Sequence, residues 1–267
     1  MKTIFITGAS SGLGNATARL FAEKGWKVIA TMRYPENEKA LSHVPDVTLM
    51  PLDITDTAQI EAAVKRSTEL GVDVVFNNAG YGLGGPLESY TEEQITRQLE
   101  TNLVSVIRIT QAFIPYFRAR RQGLFITTTS IGGLIAFPFY SVYSAAKWGL
   151  EGFCESLSFE LGQFGIGVKT IAPGGIRSSF RTSSDGAQHD AYKDLFAKVT
   201  RAFMEGKTPT TLTEPESIAA IVYEAVTDGK DQLRYAAGQD AVQYLNERAA
   251  GGSETFRKNM RRLFFGQ

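Results

Sequence analysis

From the third residue to about residue 240, short β-branched apolar runs alternate with longer stretches whose apolar positions recur at helical spacing. That alternation predicts repeated βαβ units and a parallel sheet, with no interdomain linker breaking it. The strand-like runs are Thr3–Thr7, Lys27–Met32, Val47–Leu52, Val72–Phe76, Gly123–Thr128, Gly167–Ile171 and, more weakly patterned, Gln232–Ala236. Most are nearly continuous in apolar residues, as expected of strands covered by helices on both faces. Several helices carry start signals. Thr91 precedes Glu92, Glu93 and Gln94, an N-cap with a Gln placed to close a capping box. Glu214-Pro215-Glu216 puts proline in a first turn, where its missing N–H costs nothing. Residues 177–213 break the alternation with mixed polar and aromatic text, which predicts a lid or binding segment. The stretch from Gly251 to Gln267 combines Arg257, Lys258, Arg261 and Arg262 with Phe264 and Phe265. A docked or frayed terminal helix is the expectation there, and a membrane or partner contact the alternative.

Composition narrows the function classes. The chain has 267 residues, 28 Lys and Arg against 28 Asp and Glu, and 43% hydrophobic residues, the balance of a soluble globular protein of one large or two small domains. The unbroken alternation favours one domain, 1–267. Zero net charge removes the electrostatic case for nucleic acid, which needs clustered basic residues. Cys154 is the single cysteine, so no internal disulfide framework is possible, and a zinc site would need Cys154, His43 and His189, which are far apart in sequence. No apolar run reaches about 18 residues, so no membrane-spanning helix is expected. The first strand begins at Lys2 or Thr3, which leaves no room for a leader and makes a cytoplasmic location the expectation.

The first turn carries the most chemistry. Strand Thr3–Thr7 runs into Gly8-Ala9-Ser10-Ser11-Gly12-Leu13-Gly14 and then into the helical stretch Asn15–Lys24. Glycines let a backbone turn sharply and approach a ligand, while the helix aims its free N–H groups and positive end at a diphosphate. Dinucleotide binding follows, although the spacing is G-x-x-x-G-x-G and not the general G-x-G-x-x-G. The same text satisfies G-x-S-x-G through Gly8, Ser10 and Gly12, the nucleophile elbow of hydrolases, with Asp185 and His189 as nominal triad partners. Against that reading, elbow serines sit deeper in the chain, and a triad leaves the later motifs unexplained.

Those motifs are Asn77-Asn78-Ala79-Gly80 after the fourth strand, Ser130 followed thirteen residues later by Tyr143 and then by Lys147, and Pro173-Gly174. In register with Thr7-Gly8-x3-Gly12-x-Gly14, they resemble the short-chain dehydrogenase/reductase family in its single-domain form of roughly 250 residues, from residue 3 to about 240. The resemblance implies a Rossmann-type, doubly wound parallel sheet of about seven strands flanked by helices. Tyr143 and Lys147 stand i, i+4 on a helix expected from Ser141 to Gln163, so they share a face. A phenol titrates near 10; an ammonium about 5 Å away, at an effective dielectric of 20, would favour the phenolate by roughly 3 kcal/mol, about two pKa units. Tyr143 is therefore expected near the working range of a general acid or base.

The family likeness implies further roles. Tyr143 resembles the proton donor in ketone reduction, Ser130 the hydroxyl that polarises the carbonyl, and Lys147 the residue that tunes the tyrosine and binds the nicotinamide ribose. Asn102 matches an asparagine that holds a relay water. Gly8, Ser10, Ser11, Gly12, Leu13 and Gly14 would cradle the cofactor. Asp53 and Ile54 match the adenine contacts, Asn78, Ala79 and Gly80 the ribose loop, and Pro173, Gly174, Ile176 and Ser178 the segment gripping the carboxamide, with serine where the family usually has threonine. Asp73 is expected to tie strands together. Taken singly, each of these residues has a plain structural reading, Asn102 for instance as the partner of a backbone carbonyl.

Met32 stands where NAD-preferring relatives place an aspartate, and Arg33 follows it. A guanidinium without a carboxylate suits a 2′-phosphate, so the expected cofactor is NADP(H). Tyr81, Leu83, Leu134, Phe137, Phe139, Phe180, Phe203 and Met204 fall in or near the loops above the sheet. From them, Tyr81, Phe137, Phe139, Phe180 and Phe203 are the expected substrate contacts, and a bulky hydrophobic ketone or aldehyde and its alcohol the expected substrate pair. Gln232–Ala241 resembles the last strand of relatives acting on steroids and similar alcohols. Relatives commonly form dimers or tetramers, which makes a homo-oligomer the expectation. The alternative is an NADP-binding sensor or scaffold without turnover, against which the complete Ser130, Tyr143 and Lys147 set argues.

Overall fold

In the computed structural model residues 1–180 and 188–266 are described. Seven strands form one parallel sheet: β1 (Thr3–Thr7), β2 (Lys27–Met32), β3 (Val47–Pro51), β4 (Val74–Asn77), β5 (Gly123–Thr128), β6 (Ile166–Pro173) and β9 (Arg234–Ala237), in the order β3-β2-β1-β4-β5-β6-β9. All six ladders are parallel. The order reverses between β1 and β4, and such a switch point opens a crevice at the carboxyl ends of the strands. Flanking them are α1 (Gly12–Glu23), α2 (Thr57–Glu69), α3 (Glu92–Leu99), α4 (Ser105–Arg120), α5 (Ser141–Gly162), α6 (Lys193–Met204), α7 (Pro215–Thr227) and α8 (Gln239–Phe265).

The sheet separates two cores because strand side chains alternate between faces. On β1, Ile4 and Ile6 enter one core with Phe21, Trp26, Phe76 and Val222. Phe5 enters the other, where Phe113, Phe117 and Phe125 pack edge-on or stacked at 5.1–6.1 Å between ring centroids. The expected start signals are realised. Thr91 and Gln94 close a reciprocal capping box on α3, and Pro215 opens α7. Asp73 accepts from the Thr3 N–H and from Arg120, each at 2.9 Å, tying the starts of β1 and β4 to the end of α4.

Three differences from the sequence expectation bear on the site. Two-residue strands β7 (Gly175–Ile176) and β8 (Leu212–Thr213) pair beside the main sheet; elements that short carry no period to read. Between α3 and α4 the backbone widens into a π-helical turn, Glu100–Val104. The last helix, α8, is broken at Gly252 (φ 71°, ψ 164°), and its second half folds back so that Phe256, Met260 and Phe264 are buried with Ile131, Ile135, Val199 and Tyr244. The C-terminal segment is therefore docked. No helix among the described residues is long and apolar enough to cross a membrane. Residues 181–187 of the expected lid lie outside the described residues; its remainder forms α6 and β8.

Candidate active site

At the carboxyl ends of the strands a cavity of about 1110 Å³ runs from the glycine loop to α6. The loop end is fixed by backbone. Gly8 has φ +67°, and a Cβ there would lie 2.8 Å from the Ala79 Cα; Gly14 lies so close to Gly8 that a Cβ would meet its carbonyl at 2.3 Å. The Thr7 hydroxyl accepts from the Asn78 and Ala79 N–H groups at 2.9 and 3.0 Å, and the Asn78 amide donates to the Thr7 carbonyl at 3.1 Å. These bonds clamp the loop after β1 against the loop after β4. Ser11 caps α1 without committing its side chain to the first-turn N–H groups, and that turn carries no acid. Such a helix start leaves its N–H groups free to receive an anion, and it faces the cavity.

Gly8, Ser10, Ser11, Gly12 and Leu13 line the cavity, as do Arg33, Asp53, Ile54, Asn78, Ala79, Gly80, Pro173, Gly174, Ile176 and Ser178. Gly14 does not: it is buried behind the loop and makes its tight packing possible. The Asp53 carboxylate also serves its own turn, accepting from the Thr55 N–H and hydroxyl at 2.9 and 2.7 Å.

Ser130, Tyr143 and Lys147 meet on one wall. The Ser130 hydroxyl accepts from the Gly132 N–H at 3.0 Å and, with Tyr143, lies against Gly132. Lys147 is buried, and its ammonium donates to the Thr128 carbonyl at 2.8 Å, 6.0 Å from the centre of the Tyr143 ring. Here the sequence expectation is corrected. Desolvation pushes the Tyr143 phenol up to about 12, only partly countered by the Ser130 hydroxyl, and burial pushes Lys147 down to about 8. The same burial that brings the pair together favours both neutral forms, so at neutral pH the phenol holds its proton.

The Asn102 side chain does not reach the wall. It lies in the π-helical turn, fully buried, with Oδ1 accepting from the Tyr81 N–H at 3.1 Å and Nδ2 donating to the Tyr81 carbonyl at 2.7 Å. Its amide therefore positions Tyr81, which does line the cavity.

The far end is built from side chains. Tyr81, Phe139, Phe180, Phe203 and Met204 line it, together with Tyr140 and Phe196, which the sequence reading did not single out. Phe139 has φ +68° and sends its ring toward Phe196 and Tyr192 of the lid, at 5.4 and 6.3 Å. Phe137 is corrected from a substrate contact to a core residue: it packs on Tyr244 and Phe203 at 5.4 and 6.2 Å and is not on the wall. Leu83 and Leu134 are likewise off it.

Asp240 was also missed. Buried at the start of α8, it accepts from the Gly175 N–H at 2.8 Å and the Thr211 N–H at 3.4 Å, locking the loop after β6. An acid just after Gly238-Gln239 at a helix start was the available signal. His189, the hydrolase candidate, is exposed, binds the Ala191 N–H at 3.2 Å and is not on the cavity wall, and Asp185 lies outside the described residues.

A doubly wound sheet with a glycine-cradled cavity and a Ser, Tyr and Lys wall defines a dinucleotide-dependent dehydrogenase class. The family model described as short chain dehydrogenase matches residues 2–189. The chain belongs to that family. It is 32% identical over 250 residues to estradiol 17-beta-dehydrogenase 1 of Rattus norvegicus, covering 87% of this chain and 72% of that one. Among solved structures, a short-chain dehydrogenase from Streptomyces avermitilis superposes with a TM-score of 0.84 at 29% identity, covering 96% of this chain and 95% of that one. Actinorhodin polyketide ketoreductase with NADPH superposes at 0.74 and 26% identity, covering 89% and 96%.

Proposed function

We propose that this protein is a single-domain, cytoplasmic NADP(H)-dependent carbonyl reductase and alcohol dehydrogenase for a bulky apolar ketone or aldehyde. The observation that carries this reading is the Ser130, Tyr143 and Lys147 wall at the junction between the glycine-cradled and the aromatic ends of one cavity. The cradle fits a dinucleotide: the helix start supplies N–H groups for a diphosphate, and glycine stands where a side chain would block its close packing. Bound there, the nicotinamide supplies hydride.

The chain's own residues supply the rest. Ser130 hydrogen-bonds the substrate oxygen and polarises it. The protonated Tyr143 phenol gives its proton to that oxygen in reduction and recovers one in oxidation. Lys147, anchored on Thr128, holds positive charge close to the phenol and would hydrogen-bond the ribose hydroxyls of a bound dinucleotide. The docked aromatics exclude water and accept apolar bulk. Preference for the phosphorylated cofactor rests on β2, which ends in buried Met32, an apolar side chain and not a carboxylate, with exposed Arg33 next on the cavity wall. The names of the relatives agree with both halves of the reading, one acting on a bulky apolar alcohol and one solved with NADPH. Exposed Phe159 and Trp148 on α5 support a homo-oligomer.

A panel of apolar ketones, aldehydes and alcohols assayed by nicotinamide absorbance tests the proposal. The expected result is ketone-dependent oxidation of NADPH well ahead of NADH; NADPH binding without turnover on any carbonyl would replace it with a sensor or scaffold.

A further inference from the structure

Below the proposed catalytic pair, α5 carries a third charge that the reading above does not use. Tyr143, Lys147 and Glu151 are spaced i, i+4, i+8 and so follow one another on a single face of the helix. Glu151 is only 4% exposed. Its Oε2 accepts from the Arg234 Nε on β9 at 2.8 Å and from the Thr170 hydroxyl on β6 at 3.4 Å, while Oε1 is buried with no hydrogen-bond partner. A buried carboxylate oxygen left unsatisfied is costly and calls for a compensating role. Arg234 reaches on to Glu155 near the surface. Signs therefore alternate from the cavity outward: Lys147, Glu151, Arg234, Glu155.

The other groups around Lys147 leave little to keep its charge in place. On α5, Tyr143 and Cys154 are each pushed up to about 12 by burial, so both are neutral at neutral pH. On β5, Thr128 offers a carbonyl and no charge. On β6, Thr170 is neutral, and Arg234 on β9 is a like charge. Desolvation is the largest influence on Lys147, and Glu151 is the largest opposing one.

We propose that Glu151 is a positioning residue that keeps Lys147 protonated in its buried seat, with Arg234 setting how much of the carboxylate's field Lys147 receives. The role rests on the reductase reading for its link to turnover. The electrostatic part stands apart from it and can be read without substrate.

The test is a pH titration of the intact protein with lysine labelled at Cε with carbon-13. The Lys147 signal is assigned by its loss in Lys147→Met, and the wild type is compared with Glu151→Gln and Arg234→Met. Glu151→Gln is expected to move the Lys147 midpoint to lower pH by about one unit or more. Arg234→Met should move it the other way, because a neighbouring cation is gone and the carboxylate is less shared. A purely structural Glu151 would lower the melting temperature and leave the midpoint in place, which overturns the proposal. Should Glu151→Gln fail to fold, an unmoved midpoint in Arg234→Met overturns it equally. The alkaline limb of kcat/KM is expected to follow the midpoint in each variant. A midpoint that shifts without the limb removes Glu151 from turnover, whereas a wild type with no turnover removes the reductase reading and leaves the titration to judge the coupling alone.

Discussion

The two ends of the cavity are made by different means. At the glycine loop the walls are backbone, held by bonds of 2.9–3.1 Å from Thr7 and Asn78 and by contacts that no Cβ can enter. At the lid the walls are rings on α6 and on the segment around Phe139, half-exposed and backed by other rings. Backbone shape is intolerant of change and suits one invariant ligand. Ring packing loses contact by increments, because each aromatic pair contributes only about 0.5–1.5 kcal/mol beyond burial, and so suits a site whose substrate must be chosen.

The sharpest test of the junction between them is Tyr143→Phe, expected to lower kcat about a thousandfold while the NADPH dissociation constant, measured by fluorescence titration, stays close to wild type. Retained turnover would break the picture at its centre. Gly14→Ala comes next. Its methyl would overlap the Gly8 carbonyl, overpacking costs about 1–3 kcal/mol or more, and the variant should lose both melting temperature and NADPH affinity. The same added methyl group on the lid should do neither. Met32→Asp is expected to move the ratio of NADPH to NADH preference by about tenfold, some 1.4 kcal/mol, read from kcat/KM with each cofactor. The smallest effect is expected at Phe196→Ala, a few-fold rise in KM for the bulkiest ketones, with cofactor affinity unchanged; a flat response across ketone sizes would remove the lid from selection.

The difference between the two ends also governs what the amino-acid sequence reveals. Strands β1 to β6 and the glycine loop are legible because covered strands are continuous apolar runs and because positive φ and close approach demand glycine locally. The Thr91 capping box and Pro215 are local in the same sense. The lid is not. Phe137 and Phe139 are two residues apart with the same side chain, yet one is core and the other wall. The choice is made by the positive φ at Phe139 and by Tyr244 and Phe203, which arrive from far along the chain. Asn102 shows the same limit. Its place in the chain could be read, but the partner that occupies its amide is fixed by a π-helical turn that leaves no period. The tuning of Tyr143 was misjudged because spacing supplies the neighbouring ammonium and says nothing of desolvation, which here dominates.

The fold-back at Gly252 places the last turns of the chain beneath the substrate lid, where Phe264 meets Phe203 with ring centroids 5.4 Å apart. Substitutions in the helix after Gly252 that disturb Phe256, Met260 or Phe264 are therefore expected to change the range of ketones accepted while NADPH affinity stays close to wild type, because that packing touches the ring-built wall and not the glycine loop.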